Sequence, residues 1–512
     1  MAIRALLSNL FVTLPLVLSA VPFAAVFEKG PTNWPMLGGT PQRNMVNTVE
    51  RNMPTEWDLK TKKNIKWVAA LGSTTYGNPI VADGKVFIGT NNGAPRNPKI
   101  TGDKGILMCF RQSDGEFLWQ AMHDKLSSGR EHDYSDAGIC STPAVEGKRL
   151  YYVSNRCELV CADTEGFYDG NNDGVTDEKY RDKTDADIIW RLDMLAEFGV
   201  SPRWMANSSP LVVGDLVYVL TSNGAEDGGF VPAPDAPSFI AVNKRTGKVA
   251  WTDSSPGDRI YDGQWSSPAY GEVNGKGQVY FPGGDGWLYA FEPLGDQDHP
   301  GKGKLIWKFD CNPPGSKWVL LGRGTANQIV ATPVFHDNKV FIGVGMDPQH
   351  GGGGTGHLYA IDATKAGDVS EYLGEWDAVD RVKKNGRKNP NSALVWHYGN
   401  ADFGRTISGC AIHEGLLLAS ELAGILHCLD VKTGRPLWKY DLLAETWGSP
   451  YIVDNKIYIG DTDGDMAILE LSEQQTLQAE IQMGAQILGT PVASDGVLYI
   501  ATPTHLYAIE QK

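Results

Sequence analysis

The chain has 512 residues, 42% of them apolar, with 59 Gly, 29 Pro and 15 Trp. That composition supports a sizeable packed core and excludes a disordered or low-complexity chain. With 46 basic and 61 acidic residues the net charge is −15, which argues against a nucleic-acid partner and against a polybasic membrane-surface protein.

Residues 1–26 read as a signal peptide or N-terminal anchor. Arg4 is the only charge before Glu28, and an apolar stretch runs from Leu10 to Phe27. The positive end comes first, as in a Sec-type signal, and Pro15 and Pro22 interrupt a spanning helix. The expectation is an exported protein, periplasmic or extracellular, with no membrane span once the signal is removed. Residues 27–60 form an N-terminal extension.

From residue 61 to 512 the chain repeats. Each copy begins with two small residues and a proline, then an apolar pair, a turn and a β-rich run. Examples are Ser141-Thr142-Pro143 before Leu150-Tyr151-Tyr152-Val153, and Ser208-Ser209-Pro210 before Leu216-Val217-Tyr218-Val219. Asn78-Pro79, Ser266-Ser267-Pro268, Ala331-Thr332-Pro333, Gly448-Ser449-Pro450 and Gly489-Thr490-Pro491 open five more. Ser408-Gly409-Cys410 opens a degenerate copy. A third run follows, such as Trp287-Leu288-Tyr289-Ala290-Phe291. Then come a glycine turn and a tryptophan, as in Thr246-Gly247-Lys248-Val249-Ala250-Trp251 and Thr433-Gly434-Arg435-Pro436-Leu437-Trp438. Alternation with period two marks these runs as half-buried strands, and the glycine supplies the positive φ of a tight hairpin.

Three strands plus a Trp-bearing fourth make a four-stranded antiparallel unit. The shortest repeat is about 40 residues, the length of one propeller blade. Eight such units cannot bury their faces alone and stack radially. The fold class is therefore all-β, an eight-bladed β-propeller. The last copy lacks a Trp strand, and Asn64-Ile65-Lys66-Trp67-Val68-Ala69 is a Trp strand without a copy. The N-terminal strand is thus expected to close the ring and remove an open sheet edge. The Trp positions are Trp67, Trp119, Trp190, Trp251, Trp307, Trp396 and Trp438, with Leu477 taking that place in the seventh blade. They are read as blade-to-blade packing.

These blade endings resemble the pyrroloquinoline quinone (PQQ) repeat family over residues 60–512. The opening Trp34-Pro35-Met36-Leu37-Gly38-Gly39-Thr40-Pro41-Gln42-Arg43-Asn44 is similar to the start of a group of exported bacterial proteins with such repeats. The family includes quinoprotein alcohol dehydrogenases, whose ring holds PQQ and calcium, and non-catalytic envelope propellers such as the outer-membrane assembly scaffold. The dehydrogenase resemblance implies a disulfide between adjacent cysteines against the quinone. No Cys-Cys dipeptide occurs here, and four residues of strand between Cys157 and Cys161 span about 13 Å, too far for a bond. Cys109, Cys161 and Cys428 occupy the position held by Ala241, Ala290, Ala360 and Ala508 in other blades, so they read as small buried hydrophobes.

Three candidate sites remain. Asp169, Asn171, Asp173 and Asp177 fall at positions 1, 3, 5 and 9 of an EF-hand-like loop with Gly174 at position 6. Position 12 is Tyr180, so Glu178 or Asp182 would substitute. The loop reads as a structural calcium site or as a solvated acidic turn. Gln349-His350-Gly351-Gly352-Gly353-Gly354-Thr355-Gly356-His357 reads as a flexible loop between strands, with its two histidines as metal candidates. Residues just before the small-small-Pro turns enter the innermost strands near the central channel. Tyr76, Trp265 and Trp447 stand there, and long loops add Arg323, Asn327, Asp402 and Arg405. Such a channel mouth suits a planar or sugar-like ligand, or the groups plug the channel.

The resulting expectation is a monomeric, exported, non-catalytic propeller that binds an envelope protein or a small molecule. The alternatives are a PQQ-dependent oxidoreductase with a divergent site and a carbohydrate-binding propeller. Calcium is a candidate ligand, and PQQ belongs to the second reading only.

Overall fold

The structure, a computed structural model, describes residues 33–319, 322–346, 354–377, 381–384 and 386–512. The signal segment and residues 349–353 of the Gly-rich loop lie outside them. Eight antiparallel sheets follow one another in chain order around an axis. The first comprises Ile80–Ala82, Lys85–Asn91, Lys104–Arg111 and Phe117–Asp124. The sixth comprises Ala411–His413, Leu416–Ser420, Ile425–Asp430 and Pro436–Asp441. In the eighth, Val492–Ser494, Val497–Ala501 and His505–Glu510 are joined by Ile65–Ala70, which pairs antiparallel with His505–Glu510. Among the described residues no helix is long and apolar enough to cross a membrane.

The repeated small-small-Pro sequence has a structural reason. Its proline begins or immediately precedes the innermost strand, where a missing N–H costs no ladder bond. The residue before the proline carries the contact between blades. The Asn78 amide donates to Thr142 Oγ1 at 3.0 Å, Thr142 to Ser209 Oγ at 3.0 Å, and Ser209 to Ser267 Oγ at 2.9 Å. Gly409 donates to Ser449 Oγ, Ser449 to Thr490 Oγ1, and Thr490 to Asn78 Oδ1. These bonds form a belt around the axis at six junctions, including the one from blade eight to blade one. Small residues are needed because the inner strands converge there. Ser209→Ala leaves the buried Thr142 amide without an acceptor, so we expect a loss of about 1–3 kcal/mol in urea unfolding. Ser209→Thr should lose less than half of that.

A second contact between blades lies at the rim. The Trp67 indole donates to Gln112 O, Trp119 to Thr164 O, Trp190 to Lys244 O and Trp396 to Val431 O, at 2.9–3.1 Å. In each case the acceptor lies in the next blade's turn between strands three and four. The turn glycine lets the ring approach: Gly115 has φ +72°, and a Cβ there would stand 2.6 Å from the Trp67 ring. Across its own sheet each of these tryptophans faces a small residue, as in Cys109 opposite Trp119, Ala241 opposite Trp251 and Cys428 opposite Trp438. All seven cysteines are free, and Cys109, Cys161 and Cys428 are buried at this position.

The seventh blade departs from the sequence expectation. Ala479, not Leu477, occupies the tryptophan register, and it faces Ile468. Leu477 is displaced to the Pro436 position and is 42% exposed. The volumes are exchanged across the strand pair, a large residue on strand three and a small one on strand four. The same one-residue bulge adjoins the tryptophan register in the other blades, so Leu477 stands where they carry Val249 or Pro436, and Ala479 stands where they carry the tryptophan.

The N-terminal extension has a role that its sequence did not announce. The inner edge of the ring would otherwise be an unpaired strand edge. The segment from Trp34 to Glu50 fills it in one circuit. Val81 donates to Trp34 O, Val145 to Pro35 O, Tyr270 to Pro41 O, Phe335 to Gln42 O and Ile452 to Met45 O, all at 2.8–3.0 Å. Ile412 donates to Asn44 Oδ1, and Glu50 accepts from Asp495 and Gly496 in blade eight. Blade three is reached by Arg43, whose guanidinium is fully buried. It donates to the carbonyls of Leu37, Ser209, Pro210 and Pro268 at 2.9–3.1 Å. Burial pushes its pKa down to about 9, which leaves it protonated at neutral pH.

Candidate functional site

The axis is thus layered along the inner strands. Two residues after the proline the inner strands of blades one, two, four, five and seven meet the Trp34–Glu50 segment, the strap; Pro210 and Pro268 meet Arg43; the residues before the prolines form the belt. Three residues before the proline the channel widens into a cavity of about 210 Å³. Every blade contributes one residue at that register. Tyr76, Cys140, Asn207 and Trp265 come from blades one to four, and Val330, Ile407, Trp447 and Leu488 from blades five to eight. Strap, Arg43 and belt close the channel on one side, so the cavity is blind.

Two long connections add the rest of the wall, Tyr134 from the segment entering blade two and Trp204 and Met205 from the segment entering blade three. Their backbones pair, with Tyr134 donating to Trp204 O and Trp204 to Glu131 O, both at 2.6 Å. Trp204 has φ +62°, a conformation that a bulky residue adopts only where its surroundings enforce it. Tyr76 and Trp447 stack at 5.8 Å and 12°, and Tyr134 meets Trp204 edge-on at 5.6 Å. Trp265 is fixed by its indole N–H on Arg203 O at 2.9 Å.

Among the described residues no acidic or basic side chain lines this cavity. Burial pushes the Tyr76 phenol and the Cys140 thiol up to about 12, so both are neutral at physiological pH and the thiol is a poor nucleophile. Two polar atoms of the lining residues, Asn207 Oδ1 and Trp447 Nε1, are shielded from bulk water and have no hydrogen-bond partner among the described residues.

The seven channel-mouth residues named from sequence divide into three groups. Tyr76, Trp265 and Trp447 line the cavity. Asn327 and Arg405 brace one another instead, with Arg405 Nε donating to Asn327 Oδ1 at 2.9 Å. The same guanidinium donates to the carbonyls of Gly322 and Gly324, and both residues are buried. Arg323 is exposed. Asp402 is exposed on the outer strand of blade five, in a separate cleft of about 620 Å³ beside Glu421 and Lys439. Cys140, Asn207, Val330, Ile407 and Leu488 follow from the same register rule as the three aromatics. As small, aliphatic or amide side chains they carry no mark in the sequence that separates them from ordinary strand residues. Tyr134 and Trp204 sit in irregular connections and left no periodic signal.

The acidic loop lies between strands three and four of blade two. Asp169 Oδ1 accepts from the Asn171 amide at 2.8 Å, and Asp177 pairs with Arg191 at 2.6 Å. The Asp173 amide donates to Asp187 Oδ2 at 2.8 Å. Among the described residues no three His, Cys, Asp or Glu side chains gather to hold a metal.

His357 lies in the third strand of blade five, and its Nδ1 is 3.0 Å from His397 Nε2 on the fourth. Tyr359 stacks on the His397 ring at 4.4 Å. Burial pushes His357 down to about 3 and His397 to about 4. A histidine near 6.5 when unfolded then takes up protons mainly in the unfolded chain. Stability is full above about pH 6.5 and falls as the pH drops toward 4. We expect His357 alone to cost about 2 kcal/mol at pH 5, and His357→Asn to flatten the thermal-unfolding profile between pH 7 and 5. Equal pH slopes for the two proteins would refute this account.

Fold and site together define a PQQ-repeat type of propeller with a blind, uncharged axial cavity. The family model for the outer membrane protein assembly factor BamB matches residues 180–344 and 385–478, about half of the chain. The chain belongs to that family. No curated protein sequence matches it. Among solved structures, BamB from Moraxella catarrhalis superposes with a TM-score of 0.51 at 13% identity, covering 86% of this chain and 97% of that one. A europium-containing methanol dehydrogenase gives 0.52 at 12% identity, covering 93% and 90%. The quinohemoprotein alcohol dehydrogenase ADHIIG from Pseudomonas putida HK5 gives 0.56 at 12% identity, covering 94% and 80%. Likeness at this identity shows the fold alone.

The cavity does not fit PQQ with calcium. The quinone is a tricarboxylate, and a buried anion needs cationic or multiple N–H partners. Calcium needs six to eight oxygen ligands. Among the described residues the lining offers no cation, no carboxylate and no paired cysteines.

Proposed function

We propose that the protein is a non-catalytic binding or scaffolding propeller of the cell envelope, exported to the periplasm. The observation that carries this reading is the uncharged lining of the axial cavity, where a quinoprotein oxidoreductase would need groups for an anionic quinone and a metal. Membership of the BamB family supports the envelope setting, and an assembly role transfers to this chain as part of the proposal. A rigid ring tied by belt, rim tryptophans and strap suits a scaffold, because no blade has to move.

Two measurements test it. In calorimetric titration of the full chain with PQQ at saturating calcium, we expect no heat of binding and no dye-linked alcohol oxidation. Stoichiometric binding would overturn the non-catalytic reading. On cell fractionation we expect the protein with the periplasm or outer membrane, and a cytoplasmic location would overturn the envelope role.

A further inference from the structure

The geometry points to a ligand site in the axial cavity for a small, neutral, single-ring aromatic molecule carrying one hydrogen-bond donor and one acceptor. This goes beyond the scaffolding role and does not depend on it.

Size comes first. An apolar cavity of about 150 Å³ takes up a benzene ring, and this one is about 210 Å³, enough for one ring with short substituents. Shape comes next. Tyr76 stacked on Trp447, and Trp265 fixed by its indole bond, make walls that are already ordered. A ligand therefore meets little cost of ordering side chains. Offset or edge-on contact with such walls favours an aromatic guest.

Charge excludes the competing classes. An anion finds no cationic group among the described residues of the lining. A cation meets two arginines behind the wall: Arg203 lies 4.3 Å from the Trp204 ring centre, and Arg130 lies 4.6 Å from that of Tyr134. Those rings have already spent a face on a guanidinium. A sugar brings several hydroxyls, and each one buried without a partner is unfavourable. The lining has few polar groups to meet them.

The polar complement is specific. Asn207 Oδ1 is an acceptor and Trp447 Nε1 a donor, both shielded and unpartnered. Buried polar groups in folded proteins are nearly always paired. A phenolic amide offers Asn207 a donor and Trp447 an acceptor, after a small rotation of either side chain toward the cavity.

The test uses the full chain and 4-hydroxybenzamide, followed by tryptophan emission and calorimetry. We expect one molecule to bind per chain. Benzoate, benzyltrimethylammonium and methyl glucoside should bind at least tenfold more weakly. Val330→Phe and Ile407→Phe, which fill the cavity from blades five and six, should each weaken binding at least tenfold while keeping the wild-type melting temperature within a few degrees. Asn207→Leu should weaken 4-hydroxybenzamide more than it weakens toluene. No binding of 4-hydroxybenzamide, or equal binding of the charged probes, overturns the assignment. So does undiminished binding by folded Val330→Phe and Ile407→Phe. If one of these variants does not fold, the other and the wild-type probe series still decide. Absence of any aromatic binding leaves the envelope role standing, whereas tight PQQ binding with calcium removes both.

Discussion

Replacing Arg43 with methionine should cost about 3–5 kcal/mol of unfolding free energy. The guanidinium is fully buried and donates to four backbone carbonyls from the strap and from blades three and four. Methionine fills much of the volume but leaves those carbonyls without donors in a region that excludes water. Arg43→Lys should recover less than half of the loss, because one ammonium cannot reach carbonyls spread around a planar fork. Urea unfolding followed by circular dichroism reads both values. A loss below about 1 kcal/mol for Arg43→Met, no more than an ordinary hydrogen bond contributes, would mean that the strap is not anchored through this residue. The effect should extend to the cavity, since Arg43 and the strap close the channel beneath it.

Trp67→Ala should cost about 3–5 kcal/mol, within the range for large aromatics removed from cores. Trp67 belongs to the strand that completes the eighth sheet, and its indole donates to Gln112 O in the first blade. It also fills the space above Gly115. Removing it opens a cavity at the seam where the two ends of the repeat array meet. The same substitution at Trp438 removes an equivalent contact between blades six and seven. There the chain is continuous, so the neighbouring blades stay tethered. We expect Trp67→Ala to be the more damaging of the two, and to raise proteolysis at residues 58–64 ahead of the seam strand. Equal losses at both positions would show that closure adds nothing to the ordinary contact between blades.

Much of the ring was legible because its determinants are local and repeated. A proline after two small residues, a strand of alternating apolar residues and a glycine turn before a tryptophan recur with the blade, and each recurrence reinforces the others. The pairing of small residues with tryptophans was partly legible. The repeat marks the Ala and Cys positions as small and buried, but that each faces an indole across the sheet follows only from strand register. The seventh blade shows the limit. Leu477 is the large apolar residue near the expected position, yet it is equivalent to Pro436 of the sixth blade, and the small Ala479 holds the tryptophan register.

The cavity was half visible. The residues three before the small-small-Pro proline include Tyr76, Trp265 and Trp447, and these line the cavity. Asn327 and Arg405, expected at the mouth, are spent on each other and on loop carbonyls. A polar side chain on a long loop carries no sequence mark that separates a ligand contact from a structural brace.

By itself the sequence determined the all-β class, the eight-fold repeat and the register of the innermost strands, because those follow from short-range periodicity in one chain. Only the tertiary structure decided that the N-terminal extension circles the axis, that Arg43 closes the channel and that the remaining cavity is uncharged. Those features join residues hundreds of positions apart through single hydrogen bonds and through exclusion of water. Neither leaves a period in the sequence, because each depends on where the whole ring brings its eight inner edges together.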